Sequence, residues 1–522
     1  MSRIRFKTWF PLLLIVLSSC VYSSQNSSTS SELPATYEPS SYRNTYKQAR
    51  IAQGYKSSTP TIGDVPILVI PISFTDFPCA DLIGGCQVVK DDIEKAFFED
   101  EEDILWHSVA SYYQASSYEQ LRFYGEVSPW YTPSVSAAQL AEGGRYDVTN
   151  DVMRPAITWY RETYADNLTR LDTDGDGFID AVYFIYSVPA NAKEDPLVDD
   201  NRVFWAYTKY DNAGVANTDR PGVFHYGWSS YDFMYKDGYL ERDEQGRIVR
   251  GDDDEPIFHP WTDSQGKLEV DAHTYIHEIG HFLGLPDYYT YDSDRGDWGS
   301  AGGIDMMDYN VGDHNGFSKA VFGWLTPKVV TKPTDVSLRP LYQQPDVAII
   351  PINYDDTLLD EYLLIEYYQP QGLNKKDSLQ QFAGYYPRTF SIDGIKIYHV
   401  DARLGRFIRG LGSFQFSDYV RNIGVRTNDV YYGIANSNTA SRSAVASNKL
   451  LRLLEPDGST RLRHGYVATN RSLFTEGMAF DETNYPNYTF NNGTIFNYSI
   501  TIDTIDTEVA TISISWREQL LT

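Results

Sequence analysis

The sequence is poor in cysteine, in positive charge and in long apolar segments. Its 522 residues include 3 Cys, and 44 Lys and Arg stand against 71 Asp and Glu, for a formal net charge of −27. A chain this acidic is not expected to bind nucleic acid by neutralising phosphates, and anionic membrane surfaces repel it. After the N-terminal region, no stretch is long and apolar enough to span a bilayer. Membrane contact would therefore need a covalent anchor.

The N-terminal region differs from the rest of the chain. Three basic residues precede a short apolar run, and two serines and Cys20 follow it. This pattern predicts a signal peptide at 1–19. The tetrad Leu17–Cys20 resembles the bacterial lipoprotein cleavage box, which implies a lipid on Cys20 and an exported protein. Such a protein is anchored to a membrane of the cell envelope and faces the periplasm or the exterior. The alternative is an ordinary signal peptide that contains a cysteine.

The other two cysteines, Cys79 and Cys86, lie close together in the sequence. Structural disulfides are typical of exported proteins, so this pair predicts a disulfide that closes a short loop. Two free thiols are the alternative.

Periodicity and composition divide the remainder into three parts. Residues 20–60 are rich in Ser, Thr and Asn, and we interpret them as a flexible tether or a short pro-segment. A first folded domain at 61–330 mixes strands and helices. The predicted elements are strands at Val65–Ile72 and Ala181–Tyr186, a largely helical region at 88–124 with one helix at Ser108–Leu121, an irregular stretch at 187–265, and a helix at Asp271–Leu283 with Asp271 as its N-cap.

Residues 331–522 predict a second, all-β domain with a sandwich-like architecture. Helical periodicity fades there, and short β-type runs dominate. The predicted strands are Tyr362–Glu366, Ile395–Val400, a run from Ile500 and a run from Ile512 to Trp516. The fold class is therefore α+β, with a mixed domain followed by a β-rich one.

One helical segment, HEIGHFLGLPD, has the spacing of a catalytic zinc site. Positions i and i+4 share a helix face, so His277 and His281 reach one ion. Glu278 adjoins the first ligand, where it acts as the base that takes a proton from an activated water. Gly284 permits positive φ and ends the helix, so that Asp287 turns back as third ligand. The alternatives are a buried helix whose histidines only satisfy hydrogen bonds, and a zinc-binding pseudoenzyme.

A methionine-containing turn follows the helix. In metzincin-type proteases such a turn forms an apolar floor beneath the metal. We assign this role to Met307, although Met306 is an alternative. The Met-x-Tyr spacing then makes Tyr309 a candidate for stabilising the tetrahedral intermediate. An ordinary core tyrosine is the competing interpretation.

These motifs resemble those of the immune-inhibitor-A-like secreted metalloproteases, from Val65 to near Trp516. The resemblance is carried by the zinc helix, Asp305–Asn310, Ser318–Trp324, Ser111–Tyr131, Gly394–Asp401 and Leu473–Phe480. It implies a metzincin-like catalytic domain with a mixed sheet and an active-site helix, peptide hydrolysis outside the cell, calcium dependence and a β-rich C-terminal domain. The lipid anchor and the absence of a clear pro-peptide are departures from that family.

A second metal site is predicted upstream. Asp172, Asp174, Asp176 and Asp180 occupy positions 1, 3, 5 and 9 of an EF-hand-type loop, and Phe178 offers its carbonyl at position 7. Tyr183 stands where the bidentate Glu would be, so the loop is truncated. We predict that it holds a structural Ca²⁺, with a polar turn without metal as the alternative.

Together these features predict an exported zinc metalloendopeptidase that requires Zn²⁺ and Ca²⁺ and acts on extracellular proteins or peptides. No nucleic-acid partner is expected, and the oligomeric state stays open, with a monomer favoured. Two rival hypotheses are a non-catalytic zinc- and calcium-binding surface lipoprotein, such as an adhesin or binding module, and a metal-dependent hydrolase that acts on other bonds.

Overall fold

The fold is mixed α and β across the residues that the computed structural model describes. They are 35–37, 59–100, 106–144, 147–190, 203–235, 239–240, 249–251, 258–259, 268–291, 299–352, 357–381, 386–408, 413–415, 430–438 and 448–517. The predicted signal peptide and Cys20 lie outside these ranges. The chain from Ala35 to Thr522 clusters as one unit, which spans the predicted boundary at 330. Within the described ranges, no helix has the length and apolarity needed to cross a bilayer.

The regular elements alternate in the first half of the chain, and strands dominate the second. The α-helices are α1 (Gly85–Phe98), α2 (Val109–Ser116), α3 (Ala137–Gly143), α4 (Arg154–Tyr164), α5 (His273–Phe282), α6 (Met306–Tyr309), α7 (Gly316–Phe322) and α8 (Asn374–Leu379). The strands are β1 (Thr36–Tyr37), β2 (Gly63–Ile72), β3 (Leu121–Val127), β4 (Val182–Tyr186), β5 (Tyr207–Tyr210), β6 (His225–Ser230), β7 (Tyr239–Leu240), β8 (Phe258–His259), β9 (Lys328–Val330), β10 (Thr334–Leu338), β11 (Val347–Pro351), β12 (Glu361–Tyr368), β13 (Gly394–Asp401), β14 (Leu404–Ile408), β15 (Ser413–Gln415), β16 (Val430–Gly433), β17 (Leu451–Leu454), β18 (Ala479–Phe480), β19 (Tyr498–Ile505) and β20 (Ala510–Trp516).

A five-stranded mixed sheet with order β3-β2-β4-β6-β5 organises the first half. Its first four strands are parallel and β5 is antiparallel to β6. Parallel strands are covered on both faces, which explains the nearly continuous apolar run of β2. One face packs against α1, α2 and α5, and the other against α3 and α4. The predicted strands at Val65–Ile72 and Ala181–Tyr186 are confirmed as β2 and β4.

The prediction that 187–265 is irregular was wrong at β5, β6, β7 and β8. Strand β6 is buried along its length and pairs with β4 in the sheet. Its sequence, HYGWSS, lacks the aliphatic residues that signal a buried strand. Small residues are needed here because the rings of Tyr183 and Phe282 lie close to Gly227: a Cβ atom at that glycine would approach them to 2.7–3.0 Å. Helix α5 therefore packs closely onto the sheet.

The predicted helix at Ser108–Leu121 begins as expected and ends early. Ser108 caps α2, and its side chain accepts a hydrogen bond from the backbone of Ser111. The helix stops at Ser116 because Tyr118 and Glu119 adopt left-handed backbone conformations with φ of 55° and 63°. Leu121 then begins β3, so the prediction of a largely helical 88–124 was wrong for its last residues.

Two antiparallel-rich sheets dominate the second half, beside a small three-stranded sheet of order β15-β14-β16. The larger has order β1-β9-β11-β12-β13-β17, and the smaller has order β10-β20-β19-β18. Alternate side chains of β12 and β13 enter the core between the two sheets, where they meet β19 and β20. The strands predicted near residues 362, 395, 500 and 512 are confirmed.

The other face of the six-stranded sheet belongs to the core of the first half. Leu364, Tyr398 and Leu453 lie in the same apolar cluster as Ile276 and Ile279 of α5. Because strand side chains alternate between faces, one sheet serves two cores. The halves on either side of residue 330 thus share a continuous interior.

Two further features bear on the sequence predictions. Thr36 and Tyr37, in the predicted tether, pair with β9 at the edge of the larger sheet.

Cys79 and Cys86 are joined in a disulfide just before and at the start of α1. The Trp130 indole donates a hydrogen bond to the Cys86 carbonyl at 2.9 Å, which ties this loop to the segment after β3.

We expect Leu364→Ala to lower the free energy of unfolding by about 2–5 kcal/mol, since it empties space in the shared core. Leu364 is fully buried in β12, whereas the matched control Leu379 is 67% exposed. Leu379→Ala should change stability by less than about 0.5 kcal/mol. Urea unfolding followed by tryptophan fluorescence measures both, and equal midpoints for the two variants would contradict the shared core.

Candidate metal centre

Helix α5 carries the predicted ligands on a buried scaffold. The helix predicted at Asp271–Leu283 is confirmed with shorter bounds. The assignment of Asp271 as N-cap was wrong by one residue, because Ala272 occupies that position. The Asp271 carboxylate still accepts a hydrogen bond from the backbone N–H of His273 at 2.9 Å, so it satisfies a free donor at the helix start.

A glycine turn ends the helix and redirects the chain. Gly284 has φ of +105°, a conformation that side chains disfavour. The N–H groups of Gly284 and Leu285 donate to the carbonyls of His281 and Gly280 at 3.0 and 3.1 Å. This hydrogen-bonded turn brings Asp287 back towards the helix face that carries the histidines.

The three predicted zinc ligands meet at one point. The Nε2 atom of His277 lies 2.9 Å from Oδ1 of Asp287, and Nε2 of His281 lies 3.3 Å from the same oxygen. One ligand atom from each residue falls within 4.8 Å of the other two. Atoms that bind a tetrahedral zinc at about 2.0–2.1 Å lie about 3.3–3.4 Å apart, so little movement is needed to hold an ion.

The hydrogen bonds of the imidazoles show why a cation fits. Nδ1–H of His277 donates to the Met306 carbonyl at 2.7 Å, and Nδ1–H of His281 donates to the Leu285 carbonyl at 2.8 Å. Carbonyls only accept, so each Nδ1 carries the proton, and the neutral ring presents a lone pair at Nε2. Two lone pairs then face a carboxylate oxygen of Asp287. Such a buried set of acceptors is stable only with protons or a metal ion among them.

The pKa values of Asp287 and His281 reflect the short distances between the imidazoles and the carboxylate. Burial alone would raise the pKa of Asp287, but His281 and His277 outweigh it and hold that pKa well below its usual range. Burial alone would lower the pKa of His281, but the Asp287 carboxylate raises it to about 9. The centre therefore attracts positive charge strongly.

Glu278 lies beside the ligands and is 6% exposed. Burial raises the pKa of its carboxyl group, the two imidazoles partly oppose that shift, and Asp287 adds to it. A carboxylate whose proton affinity is raised by burial is suited to accept and return a proton. Its position next to His277 on α5 places it at the centre, as the motif predicts.

Two tyrosines that sequence reasoning missed complete the surroundings of Asp287. The Tyr291 hydroxyl donates a hydrogen bond to Oδ2 of Asp287, the oxygen that does not face the histidines. The ring of Tyr289 stacks near His277, with 6.3 Å between centroids. A signal was present, since both follow the third ligand within four residues. Tyrosine is so abundant in this chain that two tyrosines after Asp287 did not by themselves indicate a functional role.

Helix α6 lies beneath the ligand helix, as the methionine turn predicts. Met307 is fully buried, and its sulfur packs against Gly280, between the two histidines of α5. The Asp305 carboxylate caps α6 through Met307 N–H at 2.9 Å and also accepts from Asn315 Nδ2 at 2.8 Å. Met306 contributes through its carbonyl, which orients His277.

Tyr309 lies at the edge of the centre. Its ring is 6.2 Å from that of Tyr289 and 6.0 Å from that of Tyr386. Burial raises the pKa of its hydroxyl, and nearby Asp308 adds to the shift, so the hydroxyl stays protonated at neutral pH. The structure therefore brings a neutral donor near the centre, while its catalytic role stays a prediction.

The start of α5 is held by a buried histidine. Nδ1 of His273 lies 2.8 Å from Asp271, and Nε2 lies 3.3 Å from Asp377. The Trp106 indole stacks on this imidazole at 3.9 Å between centroids. Asp377 belongs to α8, so this network connects the ligand helix to the second half of the chain.

In the predicted calcium loop, three of the candidate calcium ligands lie close together. Carboxylates of Asp172, Asp174 and Asp176 lie within 4.8 Å of one another, and one buried oxygen of Asp172 has no hydrogen-bond partner among the described residues. Asp180 lies outside this group, because its carboxylate accepts hydrogen bonds from Thr173. Burial raises the pKa of Asp180 to about 7.

The backbone of Phe178 lies next to the group: its N–H donates to Oδ1 of Asp176 at 2.8 Å. Whether its carbonyl binds a cation stays a prediction.

The sequence matches no protein-family model and no curated protein. The interpretation of the centre therefore depends on the arrangement of its own residues.

We expect Gly280→Ala to destabilise the chain through the methionine floor. The new methyl group would overlap the Met307 sulfur. Overpacking costs about 1–3 kcal/mol, which exceeds the gain of up to about 1 kcal/mol from placing Ala in a helix. A double-mutant cycle with Met307→Ala should give a coupling of about 1–2 kcal/mol in urea unfolding, since the smaller side chain removes the overlap. Strict additivity of the two changes would contradict this contact.

Ca²⁺ is expected to raise the melting temperature, because an ion bound only by the folded state adds stability as its concentration exceeds the dissociation constant. The double variant Asp172→Asn/Asp176→Asn should abolish the rise, whereas Asp64→Asn, at an exposed position on β2, should keep it. Differential scanning fluorimetry with Ca²⁺ and with EGTA measures the effect. An equal rise in the double variant would exclude a calcium site in this loop.

Proposed function

We propose that this chain is a zinc-dependent endopeptidase that hydrolyses peptide bonds of extracellular proteins. The observation that carries the proposal is the convergence of His277, His281 and Asp287, with both Nδ1 atoms committed to carbonyls. That donor set of two imidazoles and one carboxylate suits zinc and leaves a fourth position for water, as catalytic sites require. The mixed sheet with a ligand helix on one face is compatible with a metzincin-like catalytic domain.

The chain supplies groups for each proton transfer. When bound, Zn²⁺ lowers the pKa of water and polarises a carbonyl oxygen. Glu278 accepts a proton from the attacking water and passes it to the amine that leaves. Tyr309 keeps its proton and donates a hydrogen bond to the developing oxyanion. Met306 and Leu285 hold the imidazoles in one tautomer through their carbonyls.

Buried Glu278 favours an enzyme over a surface protein that uses zinc only for structure. Structural zinc sites are typically closed by four protein ligands, whereas the group among the residues that the structure describes has three. Burial of a carboxylate costs stability, so the presence of Glu278 in this buried position favours a chemical role for it.

Export and anchoring belong to the same proposal. The N-terminal pattern and Cys20 favour a lipoprotein held on an envelope membrane. The disulfide between Cys79 and Cys86 is compatible with an oxidising compartment. Ca²⁺ at the aspartate loop would act as a structural ion.

We expect Glu278→Gln to keep bound zinc and to lower casein cleavage by at least about 100-fold, since removal of a general base typically costs 10²–10⁴ in rate. His281→Ala should lose both zinc and activity. The matched control Glu162→Gln, at an exposed position on α4, should behave like the parent. Metal analysis by mass spectrometry and a chelator-sensitive cleavage assay give the two readouts.

Equal cleavage by the parent and Glu278→Gln, or no cleavage by the parent with zinc bound, would refute the peptidase. The second result would favour the non-catalytic zinc-binding lipoprotein.

A further inference from the structure

A polar groove of about 640 Å³ lies on the surface of the second half. One wall is the segment that runs from Pro387 to Ser391, and the other runs from Val467 to Arg471, with Arg461 beside it. The volume falls within the range of about 300–1,000 Å³ that is typical of ligand sites. The groove is therefore large enough to hold several side chains of a partner.

The groove is positively charged in an otherwise acidic chain. Arg388, Arg461 and Arg471 line it, and the described lining residues include no carboxylate. The remaining polar groups are hydroxyls and amides. The local sequence agrees, because the segment 449–471 carries five Lys and Arg against two Asp and Glu, whereas the whole chain has a net charge of −27.

The charge of the groove is only partly compensated. Arg461 pairs with Glu455 at 2.6 Å, but its Nε atom is shielded from water and lacks an acceptor in the part of the chain that the structure describes. The Arg461 side chain as a whole is 39% exposed, so part of its guanidinium group still faces the groove. Arg388 and Arg471 are exposed. The groove thus offers guanidinium groups to an anionic ligand.

The two walls are fixed to each other and to the centre. The Ser391 N–H donates to Oδ1 of Asn470 at 3.0 Å, and Nδ2 of Asn470 donates to the Ser391 hydroxyl at 2.9 Å. The Ala468 N–H donates to the Gly302 carbonyl at 2.8 Å, in the loop that leads into α6. A groove held in this way loses little entropy when a ligand binds.

Aromatic rings connect the groove to the metal centre. Tyr386, next to the lining residue Pro387, lies 6.0 Å from the ring of Tyr309. Tyr309 lies 6.2 Å from Tyr289, whose ring is 6.3 Å from that of His277. An extended polypeptide advances about 3.3 Å per residue, so one that crosses the centre and follows these rings reaches the groove in about six residues.

We propose that the groove lined by Arg388, Arg461 and Arg471 binds an acidic segment of the polypeptide substrate and selects for it. The inference rests on the proposed peptidase function, and it names the class of substrate: proteins with Asp or Glu clustered about six residues from the bond that is cut. Guanidinium groups bind carboxylates in pairs of hydrogen bonds, which gives preference over neutral chains.

A binding experiment tests the groove without catalysis. We expect a fluorescein-labelled all-D hexaglutamate peptide, which resists cleavage, to bind the full-length protein in fluorescence anisotropy. Binding should weaken about tenfold in Arg388→Gln/Arg471→Gln, since two exposed charges together contribute on the order of 1–2 kcal/mol. Arg122→Gln, at an exposed position on β3, is the matched control and should bind like the parent. Equal affinity in the double variant, or no binding to the parent, overturns the proposal.

A cleavage experiment tests selection. Two fluorogenic peptides of equal length differ only by Glu or Gln at positions about six residues from the cut site, the distance at which an extended chain reaches the groove. The parent should show a higher kcat/KM for the Glu peptide, and the double variant should show similar kcat/KM values for the two peptides. Equal preference in both proteins overturns the proposal. If neither peptide is cut, the peptidase function fails, while the binding experiment still reports on the groove.

A polysaccharide ligand is a separate outcome. Polygalacturonate, a polyanion without peptide bonds, is added as a competitor in the anisotropy experiment. If it binds the parent more tightly than hexaglutamate and depends on the same two arginines, the groove is a polysaccharide site and the proposal is overturned. Weaker competition than that of unlabelled hexaglutamate supports the peptide.

Discussion

Three hydrogen-bond acceptors that face one another inside the protein are the constraint on which the rest of the centre depends. The nitrogens of His277 and His281 and an oxygen of Asp287 would repel without a positive charge among them. The surroundings prevent them from turning away, because the opposite side of each imidazole is bonded to a carbonyl and Tyr291 holds the second oxygen of Asp287. The fold therefore stabilises an arrangement that only a cation makes favourable.

Helix α5 packs closely against its neighbours, and this close packing provides the rigidity that the three facing acceptors need. Gly227 lets the rings of Tyr183 and Phe282 lie against the sheet, and Gly280 makes room for the sulfur of Met307. A side chain at either glycine would move α5 away from its neighbours. Ligand positions set by packing of this kind are more precise than positions set by loops.

Local patterns could be predicted from the sequence, whereas contacts between distant segments could not. His277 and His281 were found because their spacing alone defines a helix face. Strand β6 was missed because it lacks aliphatic residues and because Gly227 is required by rings that come from elsewhere in the chain. Tyr291 resembled many other tyrosines until its contact with Asp287 was known. The arginine groove was not foreseen, since its walls are about eighty residues apart and meet only in the folded chain.

The sheet shared by the two cores also sets an order for biosynthesis. A nascent chain that ends after Tyr309 contains every proposed zinc ligand, yet it lacks β12, β13 and β17, whose side chains cover that core. Strand β10 must then wait for β20, which is made last. Because pairing of distant segments is slow, the core that supports the centre is complete only after β12, β13 and β17 have been made and have paired. For the peptidase proposed above, this delay would keep an incompletely folded chain from cleaving other proteins.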